Sequence, residues 1–215
     1  MMTRLGRSRL VVGAVVVVSA LAIALGFVRV IRGSSLQTTS PARAASASEL
    51  PGELAGPAPW PRNVAALKQR LATLGLPALQ QEGTVLHIHQ HLDVFVNGRR
   101  VPVPAGIGID AAVGFISPLH THDASGVIHV ESPVVEAFTL GELFGVWGVR
   151  LTPNCLAGYC SGGGKRLWVY VDGRLFHGDP RLVLLEEHEE IVVAFGTRAQ
   201  LPRPVPATFD FPSGL

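Results

Sequence analysis

The sequence predicts a mainly β (α+β) protein, with one compact antiparallel-sheet domain and two short helices behind a single N-terminal transmembrane helix. Three observations predict it. Residues Val85 to Val96 alternate apolar and polar side chains and end on Asn97-Gly98, a strong hairpin signal. Arg166 to Val171 alternates in the same way and ends on Asp172-Gly173. Ahead of both, Leu10 to Val28 carries no charged residue, and its nineteen residues at about 1.5 Å each cover a hydrocarbon core of roughly 30 Å.

From the N-terminus, residues 1–9 read as a cytoplasmic segment and residues 10–31 as the anchor. Arg4, Arg7 and Arg9 precede the apolar run, against Arg29 and Arg32 after it, which places the N-terminus inside and the bulk of the chain outside. A cleaved signal peptide competes with this reading, because Ala42-Arg43-Ala44 and Ala45-Ser46-Ala47 have the small-residue form of a cleavage site. The apolar run is longer than a usual signal core and these sites lie well beyond it, so length favours an uncleaved anchor. Both readings export the domain and give a cell-membrane or extracytoplasmic location.

Residues 32–62, rich in Ser, Ala, Pro and Gly, read as a flexible linker, and residues 63–215 as the domain. Asn63 offers an N-cap; Val64, Leu67, Leu71 and Leu74 follow at helical spacing, and Gly75 ends the run. In the first long strand Leu86, Ile88, Leu92, Val94 and Val96 share one face, while His87, His89, His91, Asp93 and Phe95 share the other. Arg99 to Val103 is the return, kept short or at an edge by Pro102 and Pro104. Phe115 to Ser117 and Val127 to Glu131 are further strands. Thr139 with Glu142 forms a capping box that opens a second short helix. Leu182 to Leu185 and Glu190 to Phe195 are the last strands, and the proline-rich tail from Leu201 is an extended strap. The echo between "FVNGR" and "YVDGR" is explained by a shared hairpin solution more simply than by duplication.

The net charge of +2 gives no case for a nucleic-acid partner. Cys155 and Cys160 are a close pair, which in an oxidising compartment is more often a disulfide than a metal site; the short loop between them makes the entropic gain modest.

The chemistry lies in the histidines. Six of the eight sit in "HIHQH" and "LHTHDASGVIH". Histidines at i and i+2 on a strand share a face, so both imidazoles reach one ion, and zinc and copper accept imidazole nitrogen. The candidate ligands are His89, His91, His120, His122 and His129, with Asp93, Asp123 and Glu131 as auxiliary groups and His87 on the rim. A solvated strand face decorated with histidine is the competing reading, and two separate clusters weigh against it. His177 and His188 read as surface or turn residues. A blue-copper centre is improbable, since it needs a free cysteine, and the only methionines are Met1 and Met2. A zinc ion with an open position and Glu131 or Asp123 as base would make a hydrolase, yet the chain has no H-E-x-x-H, no G-x-S-x-G and no phosphate loop: "SGGGK" is wrongly spaced.

The segments "EGTVLHIHQHLDVFVNGRRVPVPAGIGI", "LHTHDASGVIHVESP", "FTLGELFGVWG" and "EIVVAFGT" resemble a family of uncharacterised actinobacterial membrane-anchored proteins. More distantly they are similar to archaeal exported proteins with an H-x-H strand, a G-x-I-H segment and a cysteine pair. The resemblance covers most of Leu76 to Leu215 and implies export and anchoring, with no activity to transfer. In the archaeal proteins histidine stands at the position of Glu131, which keeps a ligand type there and argues against Glu131 as a base. The sequence thus points to a membrane-anchored, non-catalytic zinc- or copper-binding protein. A zinc-dependent hydrolase and a metal-free envelope interaction module are the alternatives.

Overall fold

The computed structural model describes residues 49–215. The predicted anchor and the candidate cleavage sites lie outside the described residues, and among those described no helix is long and apolar enough to cross a membrane. Two helices, α1 (Leu67–Leu74) and α2 (Leu140–Trp147), accompany eleven strands. The strands are β1 (Leu86–Val96), β2 (Arg99–Val101), β3 (Ile109–Asp110), β4 (Phe115–Ile116), β5 (Leu119–His120), β6 (Val127–Ser132), β7 (Cys155–Leu156), β8 (Tyr159–Cys160), β9 (Arg166–Val171), β10 (Arg174–Leu175) and β11 (Glu190–Gly196). Seven of them form one sheet in the order β10-β9-β11-β1-β6-β5, with β2 beside the C-terminal half of β1. The mainly β, antiparallel-dominated fold with two short helices is the one the sequence predicts. One central pair departs from it, since β1 and β11 run parallel. No turn joins these two strands, so nothing local imposes an antiparallel return.

Alternation along the strands gives the sheet two different faces. Leu92, Val94, Val96, Ile128, Val130, Val169, Ile191, Val193 and Phe195 join the main core with α1 and α2. The opposite face carries His87, His89, His91, Asp93 and Phe95 of β1. At its β9–β11 end, Trp168, Val192 and Ala194 are buried beneath Leu201 and Val205 of the C-terminal tail. The tail is therefore the strap that its prolines predict.

Both hairpins form as expected. Asn97 and Gly98 (φ 52° and 84°) and Asp172 and Gly173 (φ 50° and 72°) take the left-handed conformations that a two-residue turn matching the strand twist requires. The capping box at Thr139 and Glu142 has both arms in place, and α2 is buried on every side. Cys155 and Cys160 are bonded and tie β7 to β8.

Three expectations are corrected. First, Asn63 does not cap α1. The helix starts at Leu67 behind a left-handed Ala66 with no side-chain cap. Asn63 instead donates to the Gly52 carbonyl at 2.8 Å. The cause is Arg70, wholly buried, whose guanidinium donates to the carbonyls of Pro51 (3.2 Å), Ala65 (2.6 Å), Val146 (3.2 Å) and Asn63, so the chain wraps the arginine before it winds into a helix. Second, the end of the predicted linker belongs to the core. Leu50 and Trp60 are buried in it, and Trp60 stacks edge-on against Trp147 and Tyr159. Third, Leu182 to Leu185 is not a strand of the sheet. Asp179 caps a 3-10 turn at Pro180–Leu182, and Leu184 makes only a single bridge to Thr139.

Two buried polar residues have opposite expected effects. Gln90 is fully buried on the core side of β1, and its amide nitrogen and oxygen find no partner among the described residues. An unpaired buried amide costs about 1–3 kcal/mol. Gln90→Met is therefore expected to stabilise the domain in urea unfolding by about 1 kcal/mol or more, and a loss of stability would refute this account. Arg70→Met leaves four carbonyls without their donor and is expected to destabilise by about 3 kcal/mol or more in the same measurement.

Candidate metal centre

Three neighbouring strands build the site. In the β1–β6 register His89 lies opposite His129 and His87 opposite Glu131. In the β5–β6 register His120 lies opposite the same His129. All five side chains rise from the face away from the helices, and His122 joins them from the loop after β5. Its ring meets that of His129 edge-on at 4.4 Å.

The donor atoms fall into two groups, each with its ligand atoms within 4.8 Å of one another. One comprises His87, His89, His129 and Glu131, the other His120, His122, His129 and Glu131. In the first, His87 Nε2 lies 3.2 Å from His89 Nε2, which lies 3.1 Å from His129 Nδ1. Glu131 Oε1 closes the ring at 3.1 Å from His129 Nδ1 and 3.3 Å from His87 Nε2. A tetrahedral ion with bonds of about 2.0–2.1 Å has donor–donor edges of about 3.3–3.4 Å, and a square-planar one has edges of about 2.8–3.0 Å. The observed edges lie between the two.

Hydrogen bonding alone does not account for this ring. A ring nitrogen holds either one proton or one in-plane lone pair, so it serves one linear partner. His89 Nε2 and His129 Nδ1 each face two. Lone pairs converging on a point are what a cation satisfies. In the second group, His120 Nε2 lies 3.2 Å from His122 Nε2 and 3.9 Å from Glu131 Oε2. His120 Nδ1 donates to the Ser117 carbonyl at 3.0 Å, which fixes the tautomer and leaves the Nε2 lone pair aimed into the site.

The electrostatics favour the neutral, donor form of the buried imidazoles. Burial, reinforced by neighbouring histidines, holds His120 down to about 3 and His129 down to about 4, and lowers His89 as well. Burial raises the carboxyl of Glu131, and nearby Glu82 adds to the effect. The floor of the site, His89, His120, His129 and Glu131, is buried. The side chains of His87 and His122 form the rim, 52% and 45% exposed.

Of the sequence-predicted ligands the structure brings together His89, His120, His122 and His129, and it draws in His87 and Glu131, which were expected to be auxiliary. His91 stands apart from both of these groups. Its Nδ1 meets Glu190 Oε2 at 2.5 Å and its Nε2 meets the Ser125 carbonyl at 3.0 Å. Since a carbonyl only accepts, Nε2 carries a proton, and Nδ1 shares another with Glu190. Both nitrogens are engaged, and Phe209 of the tail stacks on the ring at 3.8 Å. Gly126 permits this arrangement: at φ +96°, a Cβ there would sit 2.8 Å from both His91 Nε2 and the Leu92 carbonyl.

Asp93 holds Arg100 at 2.5 Å, and with His91 and Glu190 it forms a third set of donors, within 4.8 Å of one another, that could hold a metal ion. Asp123 caps its own loop through Ser125, while its charge reaches His129 and His122. Sequence reading missed Glu190, whose place beside His91 depends on the parallel β1–β11 pairing. It also missed Glu82, 3.3 Å from His122 Nε2; its only sequence signal was lying shortly before the H-x-H strand. His188 sits at an exposed turn with φ 63° and contacts the Leu215 carbonyl, and His177 is exposed. Compared with known protein families, curated proteins and solved structures, the chain matches none.

A stability–pH dependence follows for the metal-free protein. Unfolded, His120 and His129 take up protons near 6.5; folded, they do so only near 3 and 4. Between those values the unfolded state holds more protons, so acidification favours unfolding by up to about 1.4 kcal/mol per pH unit per group. Glu131, raised by burial, acts in the opposite sense from its ordinary 4.5 upward, so the window to read opens at pH 6.5 and the histidine effect is plainest at its upper end. Thermal or urea unfolding across that window is expected to lose stability with falling pH, and His120→Asn is expected to flatten the slope. A slope unchanged by that variant would refute the account.

Proposed function

We propose that the chain is a membrane-anchored, extracytoplasmic metal-binding protein that holds zinc or copper without turnover. The observation that carries this reading is the ring of His87, His89, His129 and Glu131, in which single lone pairs face two partners each. The donor set supports zinc or divalent copper, because imidazole and carboxylate suit both and no free thiol is present among the described residues. Four protein donors in one group resemble a closed site, and closed sites hold metal while catalytic ones keep a position open. For an ion in that group this favours binding over hydrolysis. The anchor and the location rest on the apolar run Leu10 to Val28 with its flanking arginines, on the resemblance to anchored exported proteins, and on compatibility of the disulfide with an oxidising compartment.

The test is elemental analysis of the full chain, purified without a histidine tag or chelating resin, beside His89→Ala/His129→Ala. Bound zinc or copper in the parent, lost from a variant that keeps its circular dichroism spectrum, is the expected result. No metal after reconstitution with either ion would overturn the proposal and leave a metal-free envelope interaction module as the better reading.

A further inference from the structure

We propose that the centre is dinuclear, with two divalent ions bridged by the Glu131 carboxylate, one held by His87, His89 and His129 and the other by His120 and His122. This deepens the metal-binding reading and rests on it.

The donors exceed the needs of one ion. Five imidazoles and a carboxylate converge, while a tetrahedral site uses four. They also separate into two groups rather than crowding around one point. His87 and His89 belong only to the first, His120 and His122 only to the second, and Glu131 and His129 lie within reach of both. The two rim histidines, His87 and His122, thus serve different groups.

Glu131 has the geometry of a bridge. Its Oε1 lies 3.3 Å from His87 Nε2 and 3.1 Å from His129 Nδ1, on the first group, while its Oε2 turns to His120 Nε2 at 3.9 Å, on the second. A carboxylate that offers one oxygen to each side suits ions about 3.5–4 Å apart, the usual separation in two-metal sites. Its position on β6, between β1 and β5, makes this possible, because His87 and His89 come from β1 on one side and His120 from β5 on the other.

The second group has its own convergence. The Ser117 carbonyl ties up His120 Nδ1, so His120 Nε2 is left to face His122 Nε2 at 3.2 Å. His122 Nε2 also faces Glu82 Oε1 at 3.3 Å. Two adjacent dications need negative charge around them. Glu131 supplies it between the ions, and Glu82 and Asp123 supply it at the mouth of the second. With two histidines, one bridging oxygen and a half-exposed Glu82, the second position is the more open of the two.

The experiment titrates the full chain in mild detergent, stripped with chelator, using zinc chloride, and measures bound zinc after desalting. Two ions per chain are expected. His87→Ala and His122→Ala change half-exposed side chains on different groups, and each is expected to retain one ion. Loaded with copper(II), the parent is expected to give an electron paramagnetic resonance signal weaker than two isolated ions would, through coupling across Glu131, and Glu131→Gln is expected to restore it. One ion per chain, weakened equally by both histidine variants, would overturn the dinuclear proposal while leaving the metal-binding reading intact. Two uncoupled copper ions would overturn the bridge. No bound ion would overturn the metal-binding reading itself.

Discussion

The register between β1 and β6 is the constraint on which the rest of the site depends. It sets His89 opposite His129 and His87 opposite Glu131. Side chains alternate with period two, so a slip of one residue would send these groups into the core and bring Ile128 and Val130 out. The core face prevents that slip, because Ile128, Val130, Leu92 and Val94 are essentially excluded from solvent beneath the helices. Apolar burial on one face therefore fixes the geometry of polar groups on the other.

The two faces are completed in different ways. Helices cover one, with Arg70 holding the chain that leads into α1 against the end of α2. The other is covered only in part, by the proline-rich tail. Leu201 and Val205 pack near Trp168 and Val192, and Phe209 lies flat on His91. Beyond Phe209 the strand face is left to the histidine cluster. His91 thus marks a boundary. On one side it hydrogen-bonds Glu190 beneath the ring of Phe209; on the other, two residues away, the imidazoles turn their ring nitrogens toward each other.

Burial explains why the histidines on the floor of the cluster favour the neutral form. Neutral imidazole is favoured where water is scarce and neighbouring rings would repel a second positive charge, and His120 and His129 are both held down for these reasons. The backbone adds a geometric control, since the Ser117 carbonyl selects the His120 tautomer that presents Nε2. Environment and orientation thus act together on the same side chains.

Much of the local structure was legible in the chain. The alternation of Val85 to Val96, the turns at Asn97-Gly98 and Asp172-Gly173, the Thr139–Glu142 box and the Cys155–Cys160 pair are short-range features, and each formed as its residues indicate. The sequence also singled out the two H-x-H segments, whose side chains gather in the candidate site. It could not show that Asn63 would serve an arginine instead of a helix end, because Arg70's other partners include Pro51 and Val146, distant in sequence. Nor could it divide His89 from His91. Both lie on the same strand and the same face, and by spacing they are equivalent. Only the parallel arrival of β11, bringing Glu190 beside His91, and the pairing of β6, bringing His129 beside His89, gave them different roles. By itself the sequence determined which side chains share a face, because the backbone period is local. Tertiary structure alone decided which of them meet, because strand order and direction are set by core contacts between segments far apart in the chain.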